Sequence, residues 1–491
     1  MSGVVFFYSG YESIGIEILS AVLKKNGINT SLVYHPGLFD DSLVSERNFS
    51  RHFFDPEKIA RKILKRNPDL VGFSSMTDTF SKDIRIAEMV KQLEPSIRTV
   101  FGGIHPTVLY RELISDPSID FIIRGEGEKS LLMLASGKDI HTIPGIVFET
   151  ENGIYANPNL SPVKDLNKLP PPDKKIFYDE APYFQDYYTA MTSRGCPYNC
   201  SFCNNNVYRK IYGSKYCLRR ISPDKMISEL RNALKKYRYR YVIFEDDAFV
   251  SDENWSVTFL TEYIKHIDRP FQCLINPRNI SDKVAILLNK AGCRNVEIGI
   301  QSMEERLRRS VLNRSETTEE IRQAVHILNT HNIPFNIDHI GGIPGESHNN
   351  IKKAFIQYLK WRPNRITYFY LTYYPGTEIS EKAIASGVLD EKTCNDLVKG
   401  ESFSFEHGGN VSPKIRRFHD RIRTAGDWGV FFPVIFRKAL KNRNLFRLIP
   451  RNHIIGRVIP AFLNILLGRE VRGVFILRKY LYHLLRGGHD I

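Results

Sequence analysis

The chain has 491 residues, of which 42% are hydrophobic and 25% are charged. Such a chain forms a folded core and divides into two or three domains, which excludes a disordered protein, a collagen and a small disulfide scaffold. The formal net charge of +15 is unevenly placed, because residues 413–491 contain 17 Lys and Arg against 4 Asp and Glu. The basic character therefore belongs to the C-terminal segment, and the preceding 412 residues carry only +2.

The cysteines are few and clustered. There are seven, the first is Cys196, and three fall within eight residues. This usage favours a metal or cluster site in a reducing compartment over a disulfide framework. The apolar run at residues 4–8 has no basic segment before it, so it predicts a buried strand and not a signal peptide. We expect a cytoplasmic protein.

The first 140 residues alternate short apolar runs with helical patterns, which predicts a doubly wound, Rossmann-like parallel sheet. The predicted strands are 4–8, 29–33, 70–74, 98–102 and 121–124. Residues 141–187 are expected to be a connector, with a hairpin near Asn152-Gly153 and a proline-rich linker at residues 169–172. Ligands of such sheets bind beyond the carboxyl ends of the strands.

A second alternating region spans residues 188–380. Six strands are predicted, at 188–193, 241–245, 272–276, 295–300, 335–341 and 365–372. Six β/α repeats predict a partial (β/α)6 barrel whose working end is at the carboxyl ends of its strands. The chain is thus predicted to be an α/β protein with a basic, helical C-terminal region at 381–491.

The motif with the clearest chemistry follows the first barrel strand. Cys196, Cys200 and Cys203 have CxxxCxxC spacing in one loop, so three thiolates can bind three irons of a 4Fe-4S cluster and leave the fourth iron open. The alternatives are a zinc knuckle with a distant fourth ligand and buried cysteines at chance spacing. Zinc sites favour paired CxxC spacings, and no second pair exists.

On this motif the chain resembles the radical S-adenosylmethionine (radical SAM) superfamily. The resemblance implies that the open iron binds S-adenosylmethionine (SAM) and that a 5′-deoxyadenosyl radical is released. It also implies SAM contacts within the cysteine loop and at the ends of the second, fourth and fifth barrel strands. The residues that match these positions are Phe202, Glu245, Asp246, Glu297, Ser302, Gly342 and Pro344.

Two glycine-rich segments of the first domain narrow the resemblance. Residues 102–107 and 124–128 look like the pattern of cobalamin-binding domains fused to radical SAM barrels, and paired glycines let the backbone approach a flat corrin. The candidate cobalamin-binding residues are Glu12, Ser74, Ser75, Thr77, Gly102, Gly103, His105, Gly125 and Glu126.

The first domain also departs from that pattern. Relatives with a histidine below cobalt carry DxHxxG after the first strand, whereas residues 10–15 keep only the last glycine, and Glu12 stands at the histidine position. Many members of the magnesium-protoporphyrin ester cyclase-like group lack the histidine and still bind cobalamin. The alternative is a relic domain that shapes the substrate entrance.

The resemblance implies an enzyme that functionalises an unactivated carbon of a small, hydrophobic or membrane-associated molecule, with flavodoxin or ferredoxin as electron donor. We expect C-methylation, and oxidative cyclisation is the alternative. Tyr368, Tyr370, Tyr373 and Tyr374 are candidates for the substrate side, although their spacing is more typical of barrel core. A cobalamin-binding regulatory module with an inactive barrel is disfavoured by the intact cysteine motif.

The C-terminal segment mixes basic and bulky apolar residues without an uncharged run long enough to span a bilayer. Two interpretations fit it about equally, an amphipathic surface for an anionic membrane at the inner face and a helical cap on the barrel. Nucleic acid is disfavoured. RNA methylthiotransferases share the barrel but carry a second set of cysteines in an N-terminal domain, and this chain has none before Cys196.

Overall fold

A computed structural model describes residues 3–40, 50–158, 160–401, 413–451, 454–469 and 471–485. The N-terminal domain contains a seven-stranded sheet of order β2-β1-β3-β4-β5-β6-β7 in which the first five strands are parallel. Its strands are β1 (Gly3–Ser9), β2 (Asn29–His35), β3 (Pro68–Ser74), β4 (Arg98–Gly102), β5 (Phe121–Ile123), β6 (Ile146–Thr150) and β7 (Gly153–Ala156). Its helices are α1 (Ile14–Lys25), α2 (Pro56–Leu64), α3 (Phe80–Leu93), α4 (Ile104–Val108), α5 (Tyr110–Leu113) and α6 (Glu128–Ala135).

Side-chain alternation along the first strand explains why this sheet is covered on both faces. Val4 and Phe6 enter one hydrophobic cluster, whereas Val5 and Phe7 enter the other. Successive side chains of a strand point to opposite faces, so apolar residues at both parities require helices on both sides. The hairpin that we expected in the connector extends this sheet, because β6 pairs antiparallel with β5.

The barrel domain has a six-stranded parallel sheet of order β15-β14-β13-β12-β11-β8. Its strands are β8 (Tyr187–Ala190), β11 (Tyr241–Phe244), β12 (Phe271–Ile275), β13 (Cys293–Gln301), β14 (Phe335–Gly341) and β15 (Arg365–Tyr370), and a short antiparallel pair is formed by β9 (Ser193–Arg194) and β10 (Arg219–Arg220). The helices from the connector onward are α7 (Lys175–Tyr178), α8 (Asn204–Tyr212), α9 (Pro223–Tyr237), α10 (Glu253–His266), α11 (Asp282–Lys290), α12 (Glu305–Ser310), α13 (Thr318–Thr330), α14 (His348–Trp361), α15 (Glu378–Ala385) and α16 (Glu391–Val398). All six predicted strands are present.

The C-terminal region is helical, as predicted. It contains α17 (Pro413–Gly429), α18 (Pro433–Lys441), α19 (Arg443–Leu448), α20 (Ile459–Leu466) and α21 (Val471–Leu485). Ile422 and Ala425 of α17 and Leu440 of α18 are buried in the main barrel core. Part of this region therefore caps the barrel. Among the described residues, no helix is long and apolar enough to cross a membrane.

A buried charge cluster joins the N-terminal domain, the connector and the barrel. The Lys174 ammonium donates to Glu17 at 2.7 Å, to Glu12 at 3.1 Å and to the Thr189 carbonyl at 2.7 Å. Burial and the nearby Glu12 charge raise the pKa of Glu17 well above its usual range, and Lys174 offsets only part of this. One lysine is thus shared by two carboxyls of the N-terminal domain, and its hydrogen bond to β8 fixes the connector between the domains.

Candidate functional site

The cysteine loop begins directly after β9. Gly195 precedes the first cysteine with φ of +86°, and a Cβ there would lie 2.7 Å from the Cys217 carbonyl oxygen. Only glycine fits this turn without strain. Arg209 donates to the Cys196 carbonyl at 3.0 Å, and the Cys196 N–H donates to the Tyr216 hydroxyl at 2.8 Å. The backbone around the first cysteine is therefore fixed on both sides.

The far end of the loop is anchored to the segment that follows α12. The Ser201 N–H donates to the Leu312 carbonyl at 3.0 Å, and its hydroxyl donates to the Val311 carbonyl at 2.6 Å. Phe202 packs beside Leu307 and Leu312 in a separate apolar cluster. These contacts come from distant parts of the chain, and they hold the three thiols in one loop geometry.

The three thiols are chemically suited to bind iron. All the cysteines of the chain are free thiols. Burial, with the nearby charge of Asp247, raises the pKa values of Cys196 and Cys203 to about 12, and burial also raises the pKa of Cys200, against the opposing charge of Arg314. The thiols therefore stay protonated until a metal displaces the protons.

Side chains around the sulfurs also fit a cluster. The Asn205 amide donates to the Cys203 sulfur at 3.8 Å, and hydrogen bonds to the sulfurs are one of the means by which proteins tune Fe–S sites. In the described part of the chain, no three His, Cys, Asp or Glu side chains are arranged around a single metal ion. A 4Fe-4S cluster instead places each thiolate on a separate iron, as the spacing predicts.

The inner face of the barrel carries polar side chains. Val296, Ile298 and Ile300 of β13 lie in the core under the helices, so the alternate residue Glu297 faces inward. Burial, followed by the charge of the Glu297 carboxyl, raises the pKa of Asp338 on β14 well above its usual range. Burial therefore disfavours the charged form of Asp338 on this inner face.

The acidic residues 245–247, which follow β11, have different surroundings and different roles. Asp246 is fully buried, and its carboxylate accepts from the Thr192 N–H at 3.0 Å, the Thr192 hydroxyl at 2.7 Å and the Ser193 hydroxyl. This carboxylate therefore fixes the start of the cysteine loop. Glu245 lies half-buried at the strand end. Asp247, which the sequence analysis did not select, is the member of the segment whose charge acts on two of the thiols.

The remaining candidate SAM residues lie at the ends of β13 and β14. The buried Ser302 hydroxyl donates to Glu346 at 3.3 Å. Gly342 and Pro344 form the turn between β14 and α14. Burial raises the pKa of Glu346 to about 8. Ser302 is thus bonded to this turn, so the fourth and fifth strand ends are held together at the working end of the barrel.

The carboxyl edge of the N-terminal sheet is tightly packed. Ser74 pairs in register with Gly102, and the Ser75 N–H donates to the Gly102 carbonyl at 2.8 Å. Gly103 has φ of +95°, and a Cβ there would lie 2.4 Å from the Ser75 carbonyl oxygen. The Ser75 hydroxyl donates to Asp83 at 2.6 Å. Glycine at position 103 is therefore required for the close approach of two strand ends, as in the predicted cobalamin cradle.

Several of the polar candidates at this edge are bonded to the chain itself. The His105 ring contacts the Thr77 hydroxyl at 3.2 Å and the Val398 carbonyl at 3.0 Å, and burial lowers the pKa of His105 to about 4. His35 is engaged at both ring nitrogens, by the Phe53 carbonyl at 2.8 Å and the Gly37 N–H at 3.1 Å. Both imidazoles are therefore hydrogen-bonded within the protein.

The glycine-rich segment after β5 contacts the cysteine loop. Glu126 accepts a bidentate pair from Arg219, at 2.7 and 3.1 Å, and Arg194 lies 3.3 Å away. Arg194 also donates to Glu128 at 2.6 Å. Burial opposes ionisation, but the hydrogen bond from Arg219 and the charge of Arg194 hold the pKa of Glu126 below its usual range.

We call Arg194, Arg219, Glu126 and Glu128 the interdomain clamp. Gly125 lies next to it, and a Cβ there would lie 2.5 Å from the Tyr212 hydroxyl, which accepts from the Glu126 N–H at 2.8 Å. The neighbours of Glu126 and Gly125 in the structure belong to the barrel, and their contact with cobalamin stays a prediction. The clamp ties the end of the N-terminal sheet to the residue that precedes Gly195-Cys196.

The fold and site define a two-domain α/β enzyme in which a cluster-binding cysteine loop at the top of a partial barrel adjoins a ligand-binding parallel sheet. Family comparison identifies both parts. Residues 5–135 match the B12 binding domain, and residues 191–355 match the radical SAM superfamily. The chain is therefore a radical SAM enzyme that carries a B12-binding domain. These domains imply a 4Fe-4S cluster, SAM and cobalamin as cofactors.

Individual relatives agree with this assignment. The chain is 25% identical over 438 residues to an anaerobic magnesium-protoporphyrin IX monomethyl ester cyclase of Rubrivivax gelatinosus, which covers 84% of this chain and 73% of the relative. It is 27% identical to an uncharacterised methyltransferase of Pyrococcus horikoshii, over 77% of this chain and 79% of the relative. The radical SAM methyltransferase TsrM of Kitasatospora setae, solved with cobalamin and a [4Fe-4S] cluster, has the same fold, with a TM-score of 0.63, 18% identity and coverage of 79% and 78%.

Proposed function

We propose that the protein transfers a methyl group from cobalamin to an unactivated carbon of a hydrophobic or membrane-associated small molecule. When bound, SAM at the cluster supplies a 5′-deoxyadenosyl radical that removes hydrogen from the substrate, and cobalamin supplies the methyl group. The residues of the chain bind and orient the cofactors and the substrate, and they exclude water, since the cofactors carry the bond-breaking chemistry.

The observation that carries this proposal is the interdomain clamp. Arg194 is separated from Cys196 by one residue, and it pairs with Glu126 and Glu128 at the end of β5. Methyl transfer to a carbon radical requires the two cofactor sites to act on one substrate without diffusion between them. A clamp between the cysteine loop and the carboxyl edge of the N-terminal sheet meets this requirement.

The barrel interior offers acceptors and donors for SAM. Asn336 is more than nine-tenths buried, and among the described residues its Oδ1 atom has no hydrogen-bond partner in the protein. An unpaired buried polar atom costs about 1–3 kcal/mol. We propose that SAM forms hydrogen bonds with polar atoms of this inner face. The Glu297 and Asp338 carboxyls are the proposed acceptors. Phe202, Glu245, Asp246, Ser302, Gly342 and Pro344 remain the other proposed SAM residues.

The proposed cobalamin contacts stay with the carboxyl edge of the N-terminal sheet. The Ser74, Gly102 and Gly103 backbone is the best candidate, because the side chains of Ser75, Thr77, His105, Glu12 and Glu126 are bonded within the protein. These five would then act by holding the edge in shape, and Gly125 would do the same.

The nature of the substrate is proposed from the space beside the clamp. A small cavity of about 30 Å³ between the domains is lined by the apolar side chains of Ile14, Ile18, Leu169 and Met191 and by the charged Arg194, Lys225 and Glu229. The apolar part of this lining favours an apolar molecule. Flavodoxin or ferredoxin is the proposed electron donor, and the inner face of a membrane is the proposed place of action.

The test is an anaerobic assay of the reconstituted enzyme with SAM, methyl-labelled methylcobalamin, reduced flavodoxin and an organic extract of membrane lipids as substrate source. Mass spectrometry follows 5′-deoxyadenosine and the label. We expect both deoxyadenosine and a labelled, heavier product. The Cys203→Ala variant should form neither, whereas Cys217→Ala, at an exposed cysteine, should behave like the unmodified enzyme.

Three outcomes would contradict parts of this proposal. Deoxyadenosine formed together with an unlabelled, oxidised product would favour the cyclase reaction, which the relative from Rubrivivax gelatinosus makes the second candidate. Deoxyadenosine formation that persists in Cys203→Ala would contradict the cluster assignment itself. A methylated product that still forms when cobalamin is omitted would show that cobalamin does not act in the reaction.

A further inference from the structure

The exposed apolar residues of the protein are concentrated in the C-terminal region. Of the 22 large hydrophobic side chains that are exposed in the described structure, 15 lie between residues 413 and 485. Soluble proteins rarely leave such residues together on the surface, and a contiguous patch of them marks an interaction site.

Two helices present these residues as regular stripes. Ile459, Phe462 and Leu466 are exposed on α20, and the exposed Ile455 precedes them by one turn. Leu477, Leu481 and Leu484 are exposed on α21. Spacings of three and four residues place side chains on one face of a helix. Each helix therefore has an apolar face that the rest of the described chain does not cover.

The opposite face of α21 already packs within the protein. The Phe475 ring stacks on Phe184 with ring centroids 5.1 Å apart, and the Tyr480 hydroxyl accepts from the Phe39 N–H at 2.7 Å. This inner face reaches the loop after β2 and the connector. The leucine stripe is thus not needed to attach the helix, and it is held outward by a helix that is fixed at the junction of the domains.

The end of α17 and the segment that leads into α18 lie beside the residues that flank α20. The Arg469 guanidinium lies 5.5 Å from the centre of the Phe431 ring, and the Trp428 indole donates to the Ile455 carbonyl at 2.8 Å. Phe432, Val434 and Ile435, next to these contacts, are also exposed. The segment that leads into α18 therefore contacts the residues on either side of α20, and α18 carries further exposed apolar side chains. We call the exposed apolar residues of α18, α20 and α21 the C-terminal apolar surface.

Exposed basic residues lie between the apolar residues of α18 and those of α20 in the sequence. Five exposed ones lie on or beside α18 and α19, and they are Lys438, Lys441, Arg443, Arg447 and Arg451. Helices with an apolar face and a basic face bind at the interface of anionic bilayers, where apolar side chains insert and cations meet lipid phosphates. A protein partner would explain the apolar residues, but it would not require this uniform positive charge.

We propose that the C-terminal apolar surface docks on an anionic lipid bilayer and that the basic residues of α18 and α19 bind the lipid headgroups. The inference deepens the proposed function, because it names the source of a hydrophobic substrate, but docking itself does not depend on methyl transfer. Since α21 lies at the junction of the domains, docking brings the interdomain cavity to the membrane surface.

Flotation of the full-length protein with lipid vesicles tests this surface. We expect the protein to float with vesicles of phosphatidylcholine and phosphatidylglycerol, and less with phosphatidylcholine alone. The double variant Leu481→Asp/Leu484→Asp should lower the partition constant by at least about tenfold, because two side chains that are about half exposed no longer insert. Ile384→Asp on α15, at 52% exposure, is the matched control and should bind normally.

A second variant separates charge from insertion. Lys441→Glu/Arg447→Glu should weaken binding to the anionic vesicles and leave the weaker binding to phosphatidylcholine unchanged. Thermal unfolding of all variants should match that of the unmodified protein, because the substituted side chains are exposed. If the leucine variant is misfolded, the charge variant still decides.

The proposal is overturned if the unmodified protein does not float with anionic vesicles, or if the leucine and charge variants float as well as the control. Binding of an RNA or DNA duplex without flotation would also overturn it, in favour of a nucleic-acid surface. Flotation and the methyl-transfer assay are read separately, so a protein that docks but does not transfer label would refute the proposed function and leave this inference intact.

Discussion

The interdomain clamp can be tested by replacing Arg194 with methionine, which keeps the length of the side chain and removes its charge. The change deletes the contacts to Glu128 at 2.6 Å and to Glu126 at 3.3 Å. Removal of one partner of a buried ion pair costs about 3–5 kcal/mol, because the other charge is left buried and unpaired. Glu126 keeps its bidentate contact with Arg219, so we expect a cost near the lower end, about 3 kcal/mol.

That cost corresponds to roughly a hundredfold change in the population of the clamped arrangement, at about 1.4 kcal/mol for each factor of ten. Two assays measure the effect of this change. Urea unfolding should show the loss of stability, and turnover should show deoxyadenosine formed with a smaller share of methylated product, because the two cofactor sites are no longer fixed to one another.

The controls separate the clamp from a general effect of removing arginine. Arg61→Met breaks an exposed pair with Glu57 and should cost at most about 0.5 kcal/mol. The double variant Arg194→Met/Glu128→Gln should recover most of the lost stability, since no unpaired charge remains at Glu128. The reasoning is refuted if Arg194→Met unfolds within about 0.5 kcal/mol of the unmodified protein, or if Glu128→Gln adds its full cost to that of the first change.

Three further predictions concern single sites. Gly103→Ala should lower the free energy of unfolding by roughly 1–3 kcal/mol more than Gly137→Ala, and it should weaken cobalamin retention. Both glycines have positive φ, but only a Cβ at position 103 would meet backbone atoms. Equal losses of stability in thermal unfolding would contradict this. Glu346→Gln should flatten the fall in the free energy of unfolding between about pH 4.5 and 8. A carboxyl with a raised pKa stabilises the fold below that range, and its contribution falls by about 1.4 kcal/mol for each pH unit within the range. An unchanged slope of stability against pH in urea titrations would contradict this. Cys200→Ala should abolish the iron–sulfur absorption of the reconstituted protein, whereas Cys217→Ala should keep it.

The elements of the fold were predictable because their patterns are local. The alternation of Val4 to Phe7 and the strand that contains Val296 to Ile300 identify buried parallel strands from sequence alone. The hairpin β6–β7 was placed correctly at Asn152-Gly153, but its attachment to β5 was not. Pairing with a sheet edge depends on a partner from elsewhere in the chain, and no local pattern records it.

The candidate site was predictable where its residues are adjacent in sequence. The three cysteines form one motif, whereas Asp247, Arg314 and Asp338 reach the same region from separate strands and loops. Their charges carry no motif, so only the folded structure relates them to the thiols and to Glu297. The inward position of Asp338 does follow from strand alternation, and that signal was present in the sequence.

Glycine-rich segments with acidic residues were the least informative pattern. Residues 124–128 predict close approach of the backbone, and the structure has it, but the neighbours are Arg194, Arg219 and Tyr212 of the barrel. A glycine pattern predicts that another group lies close to the backbone, but it does not identify that group. Glu12 shows the same limit, because its carboxylate binds Lys174 from the connector, 162 residues away.

The central claim is that one chain holds both cofactors and uses them together. The most direct measurement is anaerobic reconstitution with iron, sulfide and cobalamin, followed by iron, sulfide and corrin analysis of the purified chain. We predict a single 4Fe-4S cluster and bound cobalamin, with the cluster lost and the corrin retained in Cys200→Ala. A chain that takes up the cluster and retains no corrin at any cobalamin concentration tested would contradict the account.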